Sequence, residues 1–171
     1  MLKNHTKSGF TLVELVVIGT IILILAGVAI TQGVSTQRSL RHRAAFDAAI
    51  GMIQEARTMA QTGEDTGDTA YGVAFVANST PQQFVLFKNS YAANGSNNIS
   101  TPYSLANYLT LDMGSCLSEA TVAFSVPEAT TQLTCDGVAS STPSMTVRLS
   151  LTGGGTRRFT IHRATGIPQV E

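Results

Sequence analysis

The sequence predicts an α+β protein in which one long N-terminal α-helix packs on an antiparallel β-sheet. Three observations predict this fold class. An apolar run extends from Phe10 to Ile30 with Glu14 as its only charge. A helical period of apolar residues follows and ends before Gly63. Beyond residue 68, apolar and polar residues alternate as they do in strands.

The composition excludes several classes of protein. Among the 171 residues, 11 Lys and Arg balance 11 Asp and Glu. This balance excludes a strongly basic nucleic-acid-binding protein and an acidic tail protein. With three His and two Cys in the chain, a multi-ligand metal centre is hard to build. We therefore expect no metal and no cofactor.

The apolar run is long enough to cross a bilayer, because a helix of its length spans about 30 Å. Lys3 and Lys7 precede it and favour a cytoplasmic N-terminus. A secretory signal peptide would have a shorter apolar run followed by small residues at its cleavage site. Here the small pair, Ser8 and Gly9, comes before the run. We expect a membrane helix over 10–30.

Glu14 is the charged residue of this helix. An unpaired carboxylate in hydrocarbon is costly and by default indicates a functional site. Its place in the first turns lowers the cost, because the positive end of the helix dipole lies there.

The helix is predicted to continue through 31–62. One apolar face recurs at three- and four-residue steps, formed by Phe46, Ile50, Ile53, Ala56 and Ala60. A basic cluster of Arg38, Arg41, His42 and Arg43 precedes this face. We interpret it as a solvated collar that contacts headgroups or neighbouring subunits, with a nucleic-acid site as the alternative. Thr62 and Gly63 are predicted to end the helix. The acidic turn after them contains Glu64, Asp65 and Asp68.

The remainder, 63–171, is predicted to be a β-rich head domain. Turn residues separate its alternating segments, and strands are expected over 69–77, 83–88, 108–113, 121–126, 131–135, 144–151 and 157–163. The last two are predicted to form an antiparallel hairpin across the glycines at 153–155.

The segment Gly9-Phe10-Thr11-Leu12-Val13-Glu14-Leu15 resembles the class III leader junction of type IV pilins and type II secretion pseudopilins. The resemblance implies a leader over 1–9, removed by a membrane prepilin peptidase between Gly9 and Phe10. It also implies methylation of the new amino group of Phe10. Glu14 would pair with the N-terminal amine of a neighbouring subunit during filament assembly.

The resemblance also names partners and a location. It implies other pilins or pseudopilins, contacted through the N-terminal helix, and an inner-membrane assembly platform. The chain would sit in the bacterial inner membrane as a single-pass protein, with its C-terminal domain in the periplasm or outside. Many major pilins have proline where Thr31 stands, so a melted helical segment is not expected there.

Parts of the head domain resemble the GspH/FimT minor pilin group. These are the Ala-Arg pair Ala56-Arg57 followed by Ala60, the segment from Tyr71 to Phe75, and the closing segment 160–166. Some members of that group bind DNA through basic residues near the C-terminus. Here the arginines expected after Gly166 are missing, and Arg157, Arg158 and Arg163 are the possible substitutes.

Cys116 and Cys135 are the two cysteines. In a domain outside the cytoplasm we expect a disulfide between them, with free thiols as the alternative. The spacing of the two cysteines does not suit a metal site. No motif presents a catalytic nucleophile, and we expect a structural subunit rather than an enzyme. Two alternatives stay open: a tip pilin that binds DNA, and a signal-anchored surface domain that forms no filament.

Overall fold

A computed structural model describes residues 11–63 and 70–171, with the side chains of 29–32 excluded. Helix α1 runs over Leu12–Thr62 and is 51 residues long. Contacts divide the chain into two compact units, of which the first ends at Arg38 and the second is Ser39–Glu171. The first unit contains the apolar half of α1. The second contains the rest of α1 and all described strands.

Ten strands follow the helix in the described part of the chain. Their bounds are β1 Ala70–Val76, β2 Gln83–Lys88, β3 Tyr103–Ser104, β4 Leu109–Asp112, β5 Glu119–Ser125, β6 Thr131–Cys135, β7 Val138–Ala139, β8 Ser144–Leu151, β9 Thr156–His162 and β10 Pro168–Val170. All pairings are antiparallel. The predicted fold class, a long helix packed on antiparallel β-structure, is confirmed.

The strands form two sheets rather than the single predicted one. The first has the order β3-β2-β1-β5-β6-β7, and the second has the order β10-β9-β8-β4. Alternation along a strand shows which residues face the core, but it does not show which strands pair. The predicted hairpin of β8 and β9 is present, with Val147 opposite Phe159.

One core joins the helix to both sheets within the second unit. The buried face of α1 consists largely of alanines, so its backbone can approach the sheets closely, and Phe46 and Ile53 are its large members. The ring of Phe159 in the second sheet lies 5.5 Å from that of Phe46 and 6.1 Å from that of Phe75 in the first sheet. Burial of these aromatic side chains supplies much of the stabilisation.

Candidate functional site

The N-terminal end of α1 is built as a helix cap. The backbone N–H of Glu14 donates to Thr11 Oγ1 at 3.3 Å, which satisfies one of the free donors of the first turn. Thr11 and Glu14 have the spacing of a capping box. Gly9 and Phe10, the predicted cleavage and methylation positions, lie outside the described residues.

The apolar half of α1 exposes nearly all of its side chains. Every residue from Leu12 to Val28 is exposed, and α1 is long and apolar enough to cross a membrane. The large apolar residues involved are Leu12, Val13, Leu15, Val16, Val17, Ile18, Ile21, Ile22, Leu23, Ile24, Leu25 and Val28. An exposed apolar surface of this extent is compatible with lipid or other apolar surfaces around it. Glu14 is the carboxylate in this segment.

A disulfide links Cys116, in the loop before β5, to Cys135 at the end of β6. The two Cα atoms are 5.1 Å apart. The expected disulfide is therefore present, and both cysteines of the chain are used in it.

Asp136 reinforces the same connection. Its Oδ1 accepts hydrogen bonds from the N–H groups of Ser118 and Glu119 and from the Ser118 hydroxyl, at 2.7–3.0 Å. Its Oδ2 accepts from the Leu117 N–H at 2.9 Å. We refer to residues 116–119 and 135–136, joined in this way, as the clasp. The clasp fixes the loop before β5 to the turn between β6 and β7.

The charges at the clasp influence one another. The hydrogen bonds from Leu117, Ser118 and Glu119 hold the pKa of Asp136 well below its usual range, because they stabilise the carboxylate. Burial, and then the charge of Asp136, raise the pKa of Glu119. Burial and the charge of Glu119 raise the pKa of Tyr91. Both oxygens of Asp136 are occupied by donors, so its role here is structural.

The three arginines predicted as a possible DNA site lie in different surroundings. The Arg157 guanidinium lies over the Phe46 ring, 5.8 Å from its centre. Arg158 forms an ion pair with Glu171 at 2.8 Å. Because neighbouring residues of a strand point to opposite faces, Arg157 and Arg158 do not share a face of β9. Arg163 follows β9 and borders a small cavity beside β6.

The basic collar differs from the sequence interpretation at one position. Arg38, Arg41 and Arg43 are exposed, but His42 is 4% exposed. Its Nε2 lies 2.9 Å from the carbonyl oxygen of Leu149 in β8. His42 therefore belongs to the contact between α1 and the second sheet. The position is one helical turn before Phe46, on the same face, and this spacing could have revealed it.

One cavity of the head has no titratable side chain in its lining. This cavity, of about 360 Å³, lies between 77–82 and 105–110, and no Asp, Glu, His, Lys, Arg or Cys lines it. Within 11–63 and 70–171, no group of three or more His, Cys, Asp or Glu side chains could hold a metal ion. The acidic residues Glu64, Asp65 and Asp68 lie outside the described residues.

Two local features, a helix cap and a tight β-turn, were not predicted from the sequence. Thr11 caps α1, and its signal was the Thr-x-x-Glu spacing to Glu14. Asp136 and Gly137 both have positive φ, at 50° and 79°, which is the turn that Asp-Gly favours between two strands. That dipeptide marks the hairpin of β6 and β7, of which β7 was not predicted.

No family model matches the chain, and no curated protein matches it. Among solved structures, the chain is similar to the type IV minor pilin FimU of Pseudomonas aeruginosa. The match covers 75% of this chain and 87% of that chain at 20% identity, with a TM-score of 0.47. A similarity of this size does not establish membership of a family.

Proposed function

We propose that the chain is a minor pilin or pseudopilin, a structural subunit that assembles into a filament. The observation that supports this proposal most strongly is Glu14, a carboxylate in the first turn of a helix whose apolar surface is exposed as far as Val28. The leader-junction resemblance at Gly9 and Phe10 and the helix-on-sheet fold support the same function.

Physical chemistry links the exposed helix to assembly. Before assembly, lipid covers the apolar side chains of Leu12 to Val28. In a filament, the same side chains pack against the helices of neighbouring subunits. A buried carboxylate without a cation is strongly destabilising, and pairing removes much of that cost. The amine of a neighbour's Phe10, freed by cleavage after Gly9, is the cation that Glu14 would meet.

Each segment then has a role in this proposal. Residues 1–9 form the leader that a prepilin peptidase removes, and 10–30 form the membrane and filament-core helix. Residues 31–62 carry the helix into the head, and 63–171 form the head outside the cytoplasmic membrane. An inner-membrane assembly platform would extract the subunit from the bilayer. The clasp joins the loop before β5 to the turn after β6, and in this proposal the head serves presentation.

The test compares Glu14→Ala with Thr20→Ala, a matched control in the same exposed helix. Thr20 uses its hydroxyl to bond the carbonyl of Val16 at 2.6 Å, so its loss leaves no unpaired charge. Both variants should remain in the membrane fraction. Filament recovery of Glu14→Ala should fall about tenfold or more, since each 1.4 kcal/mol lost corresponds to a factor of ten. Equal recovery of both variants would contradict the role of Glu14.

A further inference from the structure

The two most exposed large apolar side chains among the described residues of Ser39–Glu171 lie together. Leu117 is 88% exposed and Val138 is 69% exposed. The N–H of Leu117 bonds to Asp136, and Val138 pairs with Cys135 across the adjoining turn. Leu117 therefore belongs to the clasp, and Val138 follows it by two residues.

The clasp restrains the backbone that carries Leu117. The disulfide and the hydrogen bonds to Asp136 restrain the backbone on both sides of Leu117. Exposed apolar anchors that are already ordered lose little entropy on binding, and such residues contribute most of the energy of an interface. Leu117 thus has the properties of an anchor residue.

A complementary cavity lies elsewhere on the same chain. Its volume is about 260 Å³, and its lining consists of Arg41, Ala45, Tyr103, Ser104, Ala106 and Leu109. Because a cavity of about 150 Å³ holds a benzene molecule, this cavity has room for a leucine side chain. Arg41 has no carboxylate within ion-pair distance among the described residues. We call this the Arg41 cavity.

The anchor and the cavity lie on different strands of the first sheet. Tyr103 and Ser104 form β3 at one edge, whereas Leu117 precedes β5 and Val138 is in β7 at the other edge. In the order of strands β5 is three spacings from β3, or about 14 Å, and Leu117 does not line the cavity of its own copy. A contact between anchor and cavity must therefore join two different copies. Two different surfaces that meet in this way form a head-to-tail contact, which gives a ring or a helical filament.

We propose that Leu117 of one copy inserts into the Arg41 cavity of the next copy, with Val138 packed at its rim. Charge favours the pairing, because Asp136 and Glu119 lie beside Leu117 and Arg41 lies in the cavity. The same carboxylates disfavour docking of this edge on an anionic lipid surface. The inference rests on the proposed function, since it gives the head a lateral contact within the filament.

Site-specific photocrosslinking in the full chain tests the contact. The photoreactive residue p-benzoylphenylalanine replaces Leu117, and a second, epitope-tagged copy is expressed in the same cells. We expect a crosslinked pair whose junction peptide contains residues 103–109 or Arg41 of the tagged copy. The same label in place of Val170, which is 61% exposed elsewhere in the head, should give no such product.

Charge reversal supplies the matched control. Arg41→Glu in the tagged copy should lower the crosslink about tenfold, while Arg43→Glu, an exposed neighbour outside the cavity, should leave it unchanged. A crosslink from position 117 to another site or protein, or equal effects of both reversals, would overturn the contact. If the chain enters filaments without the crosslink, the contact fails and the proposed function stands. If the crosslink forms but the chain enters no filament, the proposed function fails.

Discussion

The carboxylate of Asp136 accepts the backbone N–H of Leu117 at 2.9 Å, directly beside the disulfide between their neighbours Cys135 and Cys116. A polar side chain and a covalent bond thus tie the same two loops. The disulfide limits how far the loops can separate. The hydrogen bonds of Asp136 fix the direction of the backbone that carries Leu117.

Acid should weaken the clasp through Asp136. The pKa of Asp136 is depressed in the folded chain. As the pH falls, the unfolded chain therefore binds a proton at this residue before the folded chain does. The stabilisation that Asp136 provides is complete above its unfolded pKa of about 3.9. Stability should be lost as the pH falls below about 4. Urea unfolding of the full chain in detergent at pH 2.5–7 should show this loss, and Asp136→Asn should be less stable at pH 7 with a smaller loss in acid. An identical acid dependence for both proteins would contradict the assignment.

Removal of the disulfide should destabilise the head. Chain entropy predicts that a closed loop of this length contributes about 3 kcal/mol. The double variant Cys116→Ala, Cys135→Ala should lower the free energy of unfolding by about that amount, measured by urea unfolding of the full chain in detergent. Reduced wild-type protein is the matched control, and its free energy of unfolding should fall by the same amount. Equal free energies of unfolding for the oxidised and reduced chains would show that the disulfide adds no constraint.

Gly166 should not tolerate a side chain. It has φ of +63°, and an added Cβ would lie 2.6 Å from Cε1 of Phe124 and would also meet Thr131 Oγ1. Gly166→Ala should cost about 2–3 kcal/mol from strain and overlap. Gly155→Ala is the control, because nothing lies within 4 Å of that position. Thermal unfolding of both variants compares them, and equal midpoints would refute the close approach.

Truncation of Ile53 in the second half of α1 should destabilise the head. Its side chain is fully buried in the core shared with both sheets. Ile53→Ala should lower the free energy of unfolding by about 2–5 kcal/mol. Gln54→Ala, the exposed neighbour in sequence, should change it by less than about 0.5 kcal/mol. Chemical denaturation measures both, and a small effect at Ile53 would contradict the packing of α1 on the sheets.

The sequence predicted the helix and most long strands because their apolar periods are uninterrupted. The bounds of β2, β6 and β8 agree with the prediction. The short strands β3, β7 and β10 have two or three residues, too few for an alternating period. The division into two sheets depends on contacts between distant strands, such as that of Phe75 with Phe159.

The candidate site was predictable only in part. Cys116 and Cys135 could be paired because the chain has no other cysteine. The clasp could not be predicted, because Asp136 acts on residues 17 to 19 positions earlier. The sequence groups three arginines near the C-terminus, Arg157, Arg158 and Arg163. The structure separates Arg157 from Arg158 because neighbouring strand residues face opposite sides.

The mass of the N-terminal peptide tests the central claim most directly. The protein would be recovered from its native membrane, digested and measured by mass spectrometry. The proposed function predicts a peptide that begins at Phe10 and carries one additional methyl group. A peptide that begins at Met1 or Leu2 would contradict it, because Glu14 would then have no neighbouring N-terminal amine to meet.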